Sequence, residues 1–277
     1  MSERTSSEVL SILNPRQSLL AGGLAGMVQS IVSLPFWTMK VRKQCRLPWT
    51  LELGVLYKGF FPATFAITSM SIAEVCFTTI IHRWIHNTDG ADENSFERIN
   101  AALIGGTAAT IVSNPIGVVI TQQHKMNSAH FMKTLYALVA KQGYRSLYVS
   151  LVCNWAINAA FTLSFYALYP IMHQRIIRHE YQEIFATLTA SLALGLVMSA
   201  LLQPLDTLKT AQEYHIDEQF RSLRSQFSEL SRSKNMRASF YRGFFPATIS
   251  TVSAITAANF VLHQTERYYL PHQGMSS

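Results

Sequence analysis

Three proline-led stretches carry the residue types that could pair charges: PFWTMK at 35–40, PIGVVI at 115–120 and PLDTLK at 204–209. The last holds both an acid and a base, Asp206 and Lys209. The first keeps Lys40 but has Trp37 where the acid stands in the third, and the second has Gly117 and Ile120 at those places. A further candidate is Glu74, which sits deep inside an apolar run, where a charge is expensive and marks a functional site by default. Asn154 and Asn158 are four residues apart and share a helix face. No spacing reads as a metal constellation or a nucleophile–base set. An enzyme is therefore not expected, and no cofactor is expected.

The elements that hold these residues are apolar helices. Hydrophobic residues make up 49% of the 277, and charged residues only 14%, against a usual ~25%. A bilayer-crossing helix needs ~20 mainly apolar residues. Residues 17–39, 99–124, 146–174, 184–205 and 243–265 carry no charge, and 59–81 carries Glu74 alone. A soluble protein of this size would struggle to bury six such stretches. Small residues (GGLAG, GGTAA, TASLALG) would let the helices approach closely. Cys45, Cys76 and Cys153 are odd in number and far apart, so they read as reduced packing residues. The first residues lack an apolar core and mix acids with bases, so a cleavable targeting peptide is not expected.

One octapeptide is written almost twice, YKGFFPAT at 57–64 and YRGFFPAT at 241–248, and LYVSLVCN at 147–154 is a worn copy. Pro35 to Pro115 is 80 residues and Pro115 to Pro204 is 89, while Gly59, Ser150 and Gly243 stand 91 and 93 apart. The chain therefore reads as three helical hairpins, 1–90, 91–180 and 181–277, each with a leading helix, a loop and a return helix. Tandem repeats in a membrane protein surround a midplane substrate site.

This pattern resembles the mitochondrial carrier family, in which P-x-[DE]-x-x-[KR] ends each leading helix and an aromatic-basic-glycine triplet starts each return helix. The likeness covers nearly the whole chain, and the third repeat matches fully with Pro204, Asp206, Lys209 and Tyr241-Arg242-Gly243. It implies an all-α membrane protein with six transmembrane helices in three pseudo-threefold repeats. It also implies a monomer in the inner mitochondrial membrane, alternating access around a central site, and bound lipid such as cardiolipin near Gly59 and Gly243. Helices kinked at Pro35, Pro115 and Pro204 would converge on one face. There the acid of one repeat would pair with the base of the next. Residue by residue, this gives Asp206 with Lys40, Trp37 with Ile120, and Gly117 with Lys209. The first keeps both charges. The second loses both together, the tolerable way to lose a buried ion pair. The third leaves Lys209 without its acid, free to snorkel to the surface or to hold a lipid phosphate. On the opposite face no full acid–base set survives among His82, His173, Gln264 and Arg267.

Charge supports one orientation. The stretches 40–58, 121–148 and 206–242 hold 16 basic and 6 acidic residues, so the net positive charge lies on one face. By the positive-inside rule that face is the side not crossed during insertion, which the resemblance implies is the matrix, with both termini in the intermembrane space. The basic residues follow membrane topology, so no nucleic-acid partner is expected. The later two loops have room for a short amphipathic helix, around 128–142 and 217–231, whereas 44–54 reads as a tight turn. Substrate contacts are expected from Glu74, Ala156, Ile157, Asn158 and Ser250. Ala156-Ile157 resembles the small-aliphatic pair that nucleotide carriers present to adenine, so an adenine nucleotide is the expected solute. An amino acid or carboxylate is the alternative. The rival reading is a carrier-shaped protein that no longer transports, similar to carrier-like bacterial effectors sent to host mitochondria.

Overall fold

The computed structural model describes residues 15–72, 95–126, 128, 130–164, 168–177, 183–216, 222–233 and 235–269. All of the regular structure among them is helical. The six main helices are α1 (Pro15–Gln44), α2 (described over Phe60–Ile72), α3 (Ser95–Lys125), α4 (Leu151–Leu163), α5 (Glu183–Tyr214) and α6 (Phe244–Tyr269). A further helical stretch, Tyr169–Ile177, follows α4. Among the described residues, four helical segments are long and apolar enough to cross a bilayer: Leu19–Gln44, Tyr144–Leu163, Phe185–Tyr214 and Met236–Val261. Helices α1, α3 and α5 have 30, 31 and 32 residues. At 1.5 Å per residue each is about 45 Å long, more than the hydrocarbon core of a bilayer.

The helices close into a ring. Helix α6 packs along both α1 and α5, α4 packs on α3 and α5, and α2 lies between α1 and α3. Within each hairpin the close crossing is made by a glycine nine residues before the proline. A Cβ added to Gly26 would sit 2.6 Å from Thr68 Cα, one on Gly106 would sit 2.9 Å from Thr162 Oγ1, and one on Gly195 would sit 2.5 Å from Val252 Cγ2. The small-residue runs in the sequence are thus contact points, where side chains would hold the backbones apart.

The octapeptide encodes one particular turn. Gly59 and Gly243 take φ of +75° and +82°, a left-handed conformation that other L-residues adopt only with strain. Tyr57 packs edge-on against Phe60 and Tyr241 does the same against Phe244. The Tyr57 hydroxyl donates to Ile31 O at 3.1 Å and that of Tyr241 to Ala200 O at 3.2 Å, each acceptor being four residues before its proline. Side chains of the leading helices take up the last loop carbonyls. Thr38 donates to Leu56 O, Asn114 to Leu147 O and Thr207 to Phe240 O, at 2.7–2.9 Å. These bonds satisfy buried backbone that water cannot reach.

Short helices lie in the later two loops, Phe131–Gln142 and Leu223–Ser231, and the first loop has only the single turn Leu53–Leu56. Two helix ends differ from expectation. Helix α1 runs on to Gln44 rather than ending near 39, and α5 runs on to Tyr214 rather than 205. Pro35, Pro115 and Pro204 all lie inside continuous helices.

Candidate functional site

A cavity of about 380 Å³ occupies the centre of the ring, lined by residues of all six helices. Its wall is largely apolar, with Leu34, Ile67, Ile157, Leu194 and Ile255 among the lining residues. Hydroxyl and amide groups interrupt it at Gln29, Ser33, Ser113, Asn158, Ser250 and Thr251. The charged side chains that reach it, among the described residues, are Lys40, Asp206 and Lys209. All three come from the proline-led stretches, so they mark the end of the cavity nearest the basic loops.

At that end Lys40 Nζ lies 2.9 Å from Asp206 Oδ1, and the two side chains are 11% and 16% exposed. A charge-assisted hydrogen bond this short in partial burial is one of the stronger polar contacts a protein makes. Gln44, one turn beyond Lys40, donates to Asp206 Oδ2 at 2.7 Å and accepts from Thr210 Oγ1 at 2.8 Å. Both oxygens of Asp206 are therefore held by α1. Gln44 was missed in the sequence because it lies past the expected helix end.

Trp37 and Ile120 meet in one apolar cluster with Leu34, Ala63 and Phe60, and Ile120 is almost fully buried. Trp37 also faces His124 at 6.3 Å between ring centroids. An apolar contact stands where the resemblance implied an ion pair.

The expectation for Lys209 needs correction, because it is not without an acid. Its Nζ lies 3.9 Å from Glu213 Oε1, one turn further along α5, and donates to Asn154 Oδ1 at 2.8 Å. Gly117, its expected counterpart, leaves open space where a side chain would stand.

The other expected residues are placed as follows. Ile157, Asn158 and Ser250 line the cavity, whereas Ala156 does not. Asn158 donates to Thr110 Oγ1 at 2.8 Å and Ser250 to Ser33 O at 3.2 Å, so each ties neighbouring helices together. Glu74, His82 and Cys76 lie outside the described residues. His173 contacts Thr187 at 3.2 Å and stacks on Tyr169. Cys45 and Cys153 are free and buried. Burial, helped by the nearby Glu213, pushes the Cys45 thiol up to about 12, so it stays protonated and unreactive.

Basic side chains gather outside the ring as well. Arg42, Lys43, Arg46 and Arg242 line a second hollow between the first loop and the start of α6, beside Trp49.

Comparison with known proteins agrees with this architecture. A family model for the mitochondrial carrier protein matches residues 91–180. Mitochondrial brown fat uncoupling protein 1 of Suncus murinus is 20% identical over 259 residues, covering 83% of this chain and 84% of that protein. Mitochondrial citrate transporter B of Aspergillus niger is 27% identical over 220 residues, with 70% and 74% covered. Mitochondrial citrate transporter C of the same fungus is 25% identical over 305 residues, with 94% and 92% covered. Members of this family are multi-pass proteins of the inner mitochondrial membrane that move a solute rather than transform it. The helical ring, the central cavity and the three proline-led stretches agree with these matches, and the chain is similar to mitochondrial carriers, which are transporters and not enzymes.

Proposed function

We propose that this chain carries one class of small solute through the central cavity by alternating access, with the basic end as its matrix-side gate. The observation that carries the reading is the Lys40–Asp206 pair, which joins the first and third repeats across the end of the cavity. An ion pair across the end of the cavity must break before a solute can leave on that side. In this reading the repeats are 1–90, 91–180 and 181–277, and both termini face the intermembrane space. Cardiolipin binds near Gly59 and Gly243, and beside Gly243 the hollow of Arg42, Arg46 and Arg242 supports an anionic lipid.

The substrate reading is narrower. An adenine nucleotide remains the sequence-based candidate, supported by Ile157 in the cavity wall. The lining favours the alternative, a small metabolite with an apolar body. The cavity cations Lys40 and Lys209 already hold protein partners, and a multivalent anion would have to displace them. Two of the relatives named above are citrate transporters, which keeps a carboxylate within this alternative. Glu74 is proposed as a substrate contact, because a carboxylate in an apolar span would pair with a cationic group such as an amino acid's ammonium.

The test is uptake of radiolabelled ATP, citrate and a panel of amino acids into liposomes holding the purified protein. Saturable uptake of one class, altered by Glu74→Gln, supports the proposal. No uptake of any solute by correctly inserted protein would favour the non-transporting effector or interaction reading.

A further inference from the structure

The buried carboxylate of Glu213 has no place in the proline-led motif, yet it is only 3% exposed and fully engaged. Thr121 Oγ1 of α3 donates to its Oε2 at 2.6 Å, and Ser150 Oγ at the start of α4 donates to its Oε1 at 2.8 Å. The Ser150 hydroxyl also lies 3.2 Å from Asn114 Oδ1, but the nearer, charged acceptor holds its single hydrogen more strongly. The α5 backbone is bound at the same level. Gln122 donates to Glu213 O, and Lys125 donates to Tyr214 O at 2.7 Å.

We propose that Glu213 is the acid of the gate between the second and third repeats, replacing the one missing at Gly117. Three observations converge on this. Lys209 has lost its acid at 117 but keeps one at 213. The partners of Glu213 come from the second repeat, so its bonds cross the same boundary that a Gly117–Lys209 pair would have crossed. Ser150, which departs from the glycine of the other two repeats, supplies one of those bonds. With Glu213 included, every boundary between leading helices is closed. The Trp37–Ile120 cluster joins α1 and α3, Glu213 joins α3 and α5, and Lys40–Asp206 joins α5 and α1.

This inference rests on the carrier reading, but its test needs no substrate, so the two can fail separately. Replace Cys45, Cys76 and Cys153 by alanine and introduce Ser113→Cys on the cavity wall. Label with a membrane-impermeant maleimide in sealed mitoplasts and in inverted inner-membrane particles. The parent should label in one preparation only. Glu213→Gln should label in both, gaining about tenfold on the side that was closed, as expected for a lost charge-assisted contact. Adding Gly117→Asp, into the open space at 117, should restore one-sided labelling. Parent-like labelling of Glu213→Gln would overturn the proposal, and so would failure of Gly117→Asp to restore the seal. If Glu213→Gln does not accumulate, Thr121→Val and Ser150→Ala each remove one donor. One-sided labelling in both would equally overturn it.

Discussion

Ser150 stands where the other repeats have Gly59 and Gly243, and its φ of −99° shows that no glycine is needed there. The departure releases a hydroxyl that reaches Glu213, so a residue that looks worn in the sequence makes a specific contact. The Lys40–Asp206 pair has the opposite history. It is legible in the sequence because proline, acid and base keep their spacing, and the two partners meet at 2.9 Å. Reversing one charge should cost stability and uptake, and reversing both should recover part of each. The double-mutant cycle of Lys40→Asp and Asp206→Lys, read by thermal unfolding in detergent, should give a coupling of about 1–3 kcal/mol. Additive losses would mean the pair is incidental. Trp37→Asp tests the apolar boundary. It places a carboxylate against Ile120 with no base at that position, and should destabilise by about 3 kcal/mol or more on the same assay.

At the scale of the element, the six helices and their order were readable from uncharged stretches, but their ends were not. A charge past an apolar run reads as loop. Here α1 and α5 continue into charged sequence, where Lys40, Asp206 and Glu213 find partners on neighbouring helices inside the ring. Gln44 and Glu213 therefore escaped notice, since tertiary contact and not local hydropathy decides where these helices stop. The close crossings, in contrast, were signalled by small residues. Gly26→Ala and Gly195→Ala should each destabilise by about 1–3 kcal/mol, because the new methyl meets Thr68 or Val252. Gly117→Ala has open space and should cost nothing measurable from packing. Thermal unfolding of the three variants checks the contrast, and an equal gain in all three, as expected from the better helix propensity of alanine alone, would mean that close packing is not at work.

For the whole molecule, the proposed function has consequences for both topology and mechanism. Tags at Met1 and Ser277 should be cleavable by protease in mitoplasts, and a tag after Ser222 should be protected. The reverse pattern would put the basic end on the wrong side. Transport requires that the ring at that end open. A cysteine-free chain carrying Lys40→Cys and Asp206→Cys, reconstituted with a solute it moves, can be bridged by a short bis-methanethiosulfonate linker and released with reductant. The account predicts that bridging stops uptake and that reductant restores it to the unbridged rate. Undiminished uptake through bridged protein would contradict the claim that this end is the gate.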